Sequence, residues 1–174
     1  MEKIIKRLGL LVVVFVAFSC DDDITEFNIN SSLSEEIPVS ATEADQNIAY
    51  EATIDAKEDS EISKNLEKIK EYEVEEVSFR VADYSGPDTA NLSGTLSVGN
   101  ATTTFSADIP SLNIKLFADE EYTIALSEEQ LDALETILLE SNQLKVTFTG
   151  SVSEVPVSFT LIISAKTKVK VDAA

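Results

Sequence analysis

Residues 155–171 read VPVSFTLIISAKTKVKV. Val155, Val157, Phe159, Leu161 and Ile163 share one parity, with Ser158 and Thr160 on the other. That period of two belongs to a strand with one buried face, because successive side chains point to opposite sides of a sheet. The alternation continues as Lys166, Lys168 and Lys170 against Thr167, Val169 and Val171. A strand ending in a row of lysines reads as an edge strand, its charge deterring pairing with another chain. The stretch decides the fold class: this chain is mainly β.

Just upstream, Leu144, Val146 and Phe148 make a shorter alternating run, with a turn expected over Gly150 to Glu154. Before that the period changes. Ser127-Glu128-Glu129-Gln130 has the spacing of a capping box, in which Ser127 accepts from the amide three residues on and Gln130 reaches back. Leu131, Leu134, Ile137 and Leu138 then recur at helical spacing, fading at Ser141-Asn142.

Further back, Val77, Phe79 and Val81 read as a strand ending in the Ser85-Gly86-Pro87-Asp88 turn. Leu92, Gly94, Leu96 and Val98 form the next strand, with Gly99-Asn100 as a hairpin signal. Its partner runs from Thr103 to Ile109, stopped by Pro110, and Ile114, Leu116, Tyr122 and Ile124 extend the apolar lining less regularly. Ile62, Leu66, Ile69 and Tyr72 predict an amphipathic helix over Asp59 to Tyr72, capped by Asp59 or Ser60. Ile48, Tyr50, Ala52 and Ile54 predict a strand ahead of it. Phe27 and Ile29 predict a short one at the start, with serine-rich loops before Ile37-Pro38-Val39.

About seven strands with two amphipathic helices as crossovers imply an antiparallel β-sandwich of broadly immunoglobulin-like architecture, spanning residues 27–174. An α+β sheet with helices on one face is the alternative.

The N-terminus is an address. Lys3, Lys6 and Arg7 precede an apolar run from Leu8 to Phe18, and small Ala17 and Ser19 lead to Cys20. At 1.5 Å per residue that run of about 11 residues falls well short of the ~30 Å hydrocarbon core, so it reads as a signal peptide over residues 1–19. Cys20 is the sole cysteine, which leaves no partner within the chain for a disulfide. Ala17-Phe18-Ser19-Cys20 resembles a bacterial lipobox, with Ala17 in the place of the more usual leucine. The resemblance implies cleavage before Cys20 and lipid attachment to it. Several acyl chains hold a protein on a membrane where one gives only marginal binding. Asp21, Asp22 and Asp23 follow, in a tether over residues 20–26. A short acidic run after the cysteine resembles the signal that sends lipoproteins of Bacteroidota to the outer face of the outer membrane. Three aspartates also simply solvate a tether.

Composition excludes more than it assigns. Without residues 1–19 the chain keeps 10 basic and 31 acidic residues, a net charge of −21. Such a surface repels nucleic acids and anionic lipid, so no nucleic-acid partner is expected. There is no histidine, which removes the commonest general base and transition-metal ligand. With Cys20 lipidated, no thiol nucleophile remains. Carboxylates are plentiful, but sugar-cleaving sites also want aromatic platforms, and there is no tryptophan. Acidic groups at Asp55, Glu58, Asp59 and Glu61, near Asp83 and Asp88, and at Asp119, Glu120 and Glu121 lack the spacing of a helix-loop-helix calcium site. Neither a metal nor any cofactor is expected. Asp88-Thr89-Ala90 matches a short pattern resembling the O-glycosylation sequon of Bacteroidota, which makes Thr89 a candidate site, although an exposed turn alone explains the same residues.

The Cys20-Asp21-Asp22-Asp23 start, the segment Glu61 to Phe79 and the capped helix before the final hairpin together resemble the small surface lipoproteins of flavobacteria. The resemblance implies a location and a fold and carries over no functional residue. The expected role is a non-catalytic outer-membrane, surface-exposed module that binds or supports a protein or glycan partner. A glycan-capturing component of a nutrient-uptake system is the alternative, and a carboxylate-based hydrolase a more distant one.

Overall fold

A computed structural model describes residues 25–43 and 46–173. Cys20 and Asp21 to Asp23 lie outside the described residues. Among the described residues eight strands form two four-stranded antiparallel sheets, the expected β-sandwich. They are β1 (Glu26–Ala41), β2 (Asn47–Asp55), β3 (Ile69–Ser85), β4 (Asn91–Gly99), β5 (Thr104–Asn113), β6 (Glu121–Thr123), β7 (Gln143–Val152) and β8 (Val157–Asp172). One sheet has the order β1-β8-β3-β6 and the other β2-β7-β4-β5.

The pairing is nested. β1 pairs with β8, β2 with β7, β3 with β6 and β4 with β5. The chain is laid out as one long hairpin, its turn at residues 100–103, rolled up so that β3 meets β8 and β4 meets β7. An immunoglobulin domain divides its strands differently, with its first, second, fourth and fifth in one sheet. The connectivity within this sandwich is that of a jelly roll.

β8 is not an edge strand. It lies between β1 and β3, its Val157, Phe159, Leu161, Ile163, Ala165, Val169 and Val171 all buried. Its lysines sit on the outer face as the centre of a ladder: Lys170 reaches Glu26 on β1 (2.9 Å), and Lys168 reaches Glu73 on β3 (3.2 Å). Lys166 lies between Glu76 (3.4 Å) and Glu121 of β6 (3.7 Å). Each such exposed pair is worth little by itself, but glutamates on both flanks explain why lysines occupy a central strand. The edges of this sheet are the three-residue β6 and β1, the latter one continuous strand rather than a short one with loops. Pro38 is admissible there because an edge proline forfeits no ladder hydrogen bond on its solvent side.

The helix expected over Asp59 to Tyr72 is shorter. α1 covers Ser60–Asn65, a 3-10 turn covers Leu66–Lys68, and Ile69 already opens β3. Ile69 pairs with Val171 and Tyr72 with Val169, so pairing with β8 overrides the helical preference of the Glu/Lys-rich stretch. Asp59 caps α1 as expected, accepting from the amides of Glu61 and Ile62. Two strand ends also moved. β5 runs through Pro110, a residue tolerated because β5 is an edge strand and the register shifts between Leu92 and Gly94 opposite it. Gly150 lies within β7, opposite Gly94, and the turn is at residues 153–156, where the Val155–Pro156 peptide is cis.

The second helix is found where the capping box places it. α3 (Glu128–Ser141) starts with Ser127 accepting from the Gln130 amide and Gln130 accepting from the Ser127 amide. It ends at Asn142, whose φ of 58° is the left-handed cap position. Leu134, Ile137 and Leu138 are buried in the one apolar core. α3 lies against β3 of the long sheet, which outruns the shorter one, and the Asp59 cap of α1 is tied to β1. There Glu135 accepts from the Val74 amide (2.9 Å), and Ser31 donates to Asp59 (2.6 Å).

Tyr72 locks this end. It is 1% exposed and its hydroxyl donates to the Asn142 side chain at 2.9 Å. Burial, with Asp55 and Asp59 nearby, pushes its hydroxyl up from 10.0 to about 12. A raised folded value means stability that is complete below pH 10 and drains as pH climbs from 10 towards 12. Tyr72→Phe is therefore expected to cost about 1 kcal/mol at neutral pH, one hydrogen bond, yet to flatten the loss of stability above pH 10. Urea titrations at pH 7 and pH 11 would check this, and an unchanged alkaline slope would refute it.

Candidate docking site at the far end of the sandwich

The long strands set two ends apart. Glu26 pairs with Asp172 at one end and Ala41 with Val157 at the other. β1 spans 16 residues, so the ends lie roughly 50 Å apart at ~3.3 Å per residue. Cys20 is six residues from Glu26, a reach of at most about 20 Å. A chain held at Cys20 therefore has the Glu26–Asp172 end of the sandwich nearest its point of attachment. The β3–β4 and β7–β8 loops and the segment from Asn113 to Glu120 are carried far from it.

A four-residue helix, α2 (Ile114–Phe117), organises this far end. Asn113 accepts from the Leu116 amide (3.0 Å) and donates its side-chain amide to the Asp88 carbonyl (3.0 Å), fastening α2 to the β3–β4 loop. The Ile114 amide donates to the Ala90 carbonyl, and the Asp119 amide to that of Val81. Salt bridges follow the same lines: Lys115 pairs with Asp88, and Arg80 with Asp119 at 3.3 Å. Asp83 and Asp119 both have φ in the left-handed region, at 54° and 66°. Aspartate is among the few side chains that adopt it readily.

Two hollows flank α2. An open groove of about 520 Å³ runs between Asp83, Tyr84, Asp88, Lys115 and Asp119. On the other side, Phe117 closes a cavity of about 50 Å³ with Val81, Leu92, Leu112, Ile114 and Tyr122, and Glu120 and Glu121 stand at it. Small-molecule pockets run to roughly 300–1,000 Å³ and a benzene ring takes about 150 Å³, so this cavity admits the tip of one aliphatic side chain rather than a ring or a whole ligand. Leu116 does not join the apolar lining. It is 76% exposed, and Phe117 beside it is 38% exposed. With Ile114 and Phe117 three residues apart on the inner face, Leu116 is turned outward. The short apolar run after a capping Asn113 held that signal, but a four-residue helix is too brief for periodicity to reveal.

The tyrosines offer no shared exposed platform. Tyr84 is half-buried, with its hydroxyl on the Pro87 carbonyl at 2.6 Å, and Tyr122 is half-buried with its ring 5.0 Å from that of Phe79. Burial, with Asp88 and Glu154 nearby, holds the Tyr84 hydroxyl above its usual value. Of the acidic groups, Asp55 and Asp59 serve as caps, accepting from the Lys57 amide and from those of Glu61 and Ile62. Burial raises the Asp59 carboxyl, but Ser31 and those amides hold it below the ordinary range. Glu121 is lowered by the Ser78 hydroxyl (2.6 Å), helped by Lys166 and Arg80. Among the described residues no three carboxylates are grouped to hold a metal ion. Thr89 is exposed, in a turn closed by the Ala90 amide on the Pro87 carbonyl, while Ala90 is fully buried. Its neighbour Asp88 is engaged with Lys115.

No family model matches the chain, and no curated protein does. Among solved structures it is similar to one of desmodium yellow mottle tymovirus, at 9% identity and a TM-score of 0.40, covering 84% of this chain and 89% of that one. It is also similar to the semi-empty virus-like particle of the giant freshwater prawn (Macrobrachium rosenbergii) nodavirus. There the identity is 8% and the TM-score 0.33, covering 84% of this chain and 95% of that one. Likenesses this distant say nothing about what the chain does.

Proposed function

We propose that this chain is a lipid-anchored, non-catalytic surface module that holds a jelly-roll domain on the outer membrane and presents its far end to a partner. The observation that supports the reading is directional. The residues that follow Cys20 enter β1 at one end of a sandwich about 50 Å long, and the exposed Leu116 and Phe117 sit at the other. No helix among the described residues is long and apolar enough to cross a membrane; Cys20 provides the attachment in this reading. Asp21 to Asp23 would direct it outward, and Thr89 would be modified at the displayed end.

The test is fractionation of cells expressing the full precursor or Cys20→Ala. The wild-type chain is expected almost wholly in the membrane fraction, labelled by a palmitate analogue, and the variant unlabelled and off the membrane. Equal membrane retention of the variant would refute the anchor. Protease added to intact cells is expected to digest the wild-type domain. Protection until lysis would refute surface display while leaving the anchor standing.

A further inference from the structure

α2 places an apolar surface and an acidic one side by side. Phe117 closes the small cavity and Leu116 stands 76% exposed next to it. The groove on the other side is rimmed by Asp83, Asp88 and Asp119, with Glu120 and Glu121 at the cavity. Lys115 and Arg80 are the cations there, each already paired with an aspartate, and Lys166 stands 3.7 Å from Glu121. We propose that this end docks a partner polypeptide segment bearing an aliphatic side chain next to lysine or arginine. The apolar side chain would cover Leu116 and enter the cavity beside Phe117, and the cation would lie along the aspartates of the groove.

Charge decides among the occupants of this apolar pair. A second copy would bring an equally acidic end against this one, and like charges across an interface are penalised. An anionic lipid surface is repelled for the same reason. A sugar would want two or three aromatic faces exposed together, whereas Phe117 stands alone here, with Tyr84 and Tyr122 half-buried and engaged in the fold. A basic, apolar polypeptide segment meets both surfaces at once. The proposal takes only the orientation of the domain from the anchored reading. Peptide binding reads the docking and fractionation reads the anchor, so the two can fail separately.

The experiment exposes the full chain in detergent to an array of short random peptides, then measures the best binders by fluorescence anisotropy. Binders are expected to share an Arg or Lys within a few positions of a Leu, Ile or Val. Leu116→Ser, at a position too exposed to matter for folding, should weaken them about tenfold or more. Glu120→Lys should weaken them too, and added salt should lower the wild-type affinity. Glu67→Lys, near α1 at the opposite end, should leave affinity within about twofold. Binders without that consensus, or binding that ignores Leu116→Ser, would overturn the proposal. So would Leu116-dependent self-association in the ultracentrifuge, which would make the occupant a second copy. Leu116-dependent capture by phosphatidylcholine vesicles would make it a lipid surface and overturn the proposal equally.

Discussion

Gly94→Ala is expected to lower the thermal midpoint by about 10 °C or more, corresponding to roughly 3 kcal/mol for a domain of this size. Gly94 lies in β4 directly opposite Gly150 of β7. A Cβ added at Gly94 would stand 2.4 Å from the Thr149 carbonyl oxygen and 2.7 Å from the Gly150 Cα. Both are backbone atoms of a paired strand, so neither can swing aside as a side chain would. The strands would have to separate at the middle of the shorter sheet, with loss of ladder hydrogen bonds and of close packing. A midpoint within about 2 °C of the wild type would sink this reading.

Phe148→Ala is expected to cost about 3–5 kcal/mol by emptying a fully buried aromatic site. The ring lies over the two glycines, its Cζ 2.7 Å from where a Gly150 Cβ would be. It fills the volume that their missing side chains leave. The backbone contacts of Gly94 do not depend on that ring, which makes the combination informative. Gly94→Ala should remain destabilising in the Phe148→Ala background, as measured by urea unfolding of the single and double variants. If removing the ring rescued the alanine, the close approach of the backbones would not be what demands glycine.

Strands were legible in the sequence where one face is dry and the other wet. β8 showed its alternation without a break, and α3 showed both its cap and its stripe. What alternation cannot carry is neighbourhood. The lysines of β8 look the same in sequence whether they guard an edge or meet glutamates on both sides, and only Glu26, Glu73 and Glu76, contributed by β1 and β3, tell the two apart. The same ambiguity misplaced Tyr72: its spacing from Ile69 fits a helix, but its pairing with Val169 makes it a strand residue. Pro110 reads as a stop unless β5 is known to be an edge strand. At the candidate site the acidic loops were visible as composition. The outward turn of Leu116 and the cavity behind Phe117 were not, because they depend on α2 being fastened to Ala90 and Asp88, residues more than twenty positions away.

The nested pairing also sets a timetable. Glu26 meets Asp172, so the first strand made is the one whose sheet partner is made last. β1 cannot meet β8 until nearly the whole domain has been made, and loop closures that long make folding slow. A chain delivered through a membrane N-terminus first would face the same delay outside the cell's own synthesis machinery. The hairpin of β4 and β5, separated by only four residues, is the pair that can form at once. Assembly that starts there and rolls outward would leave the seam of β1 and β8 as the final closure. The strand β1 would then be the last part of the domain to become resistant to proteases.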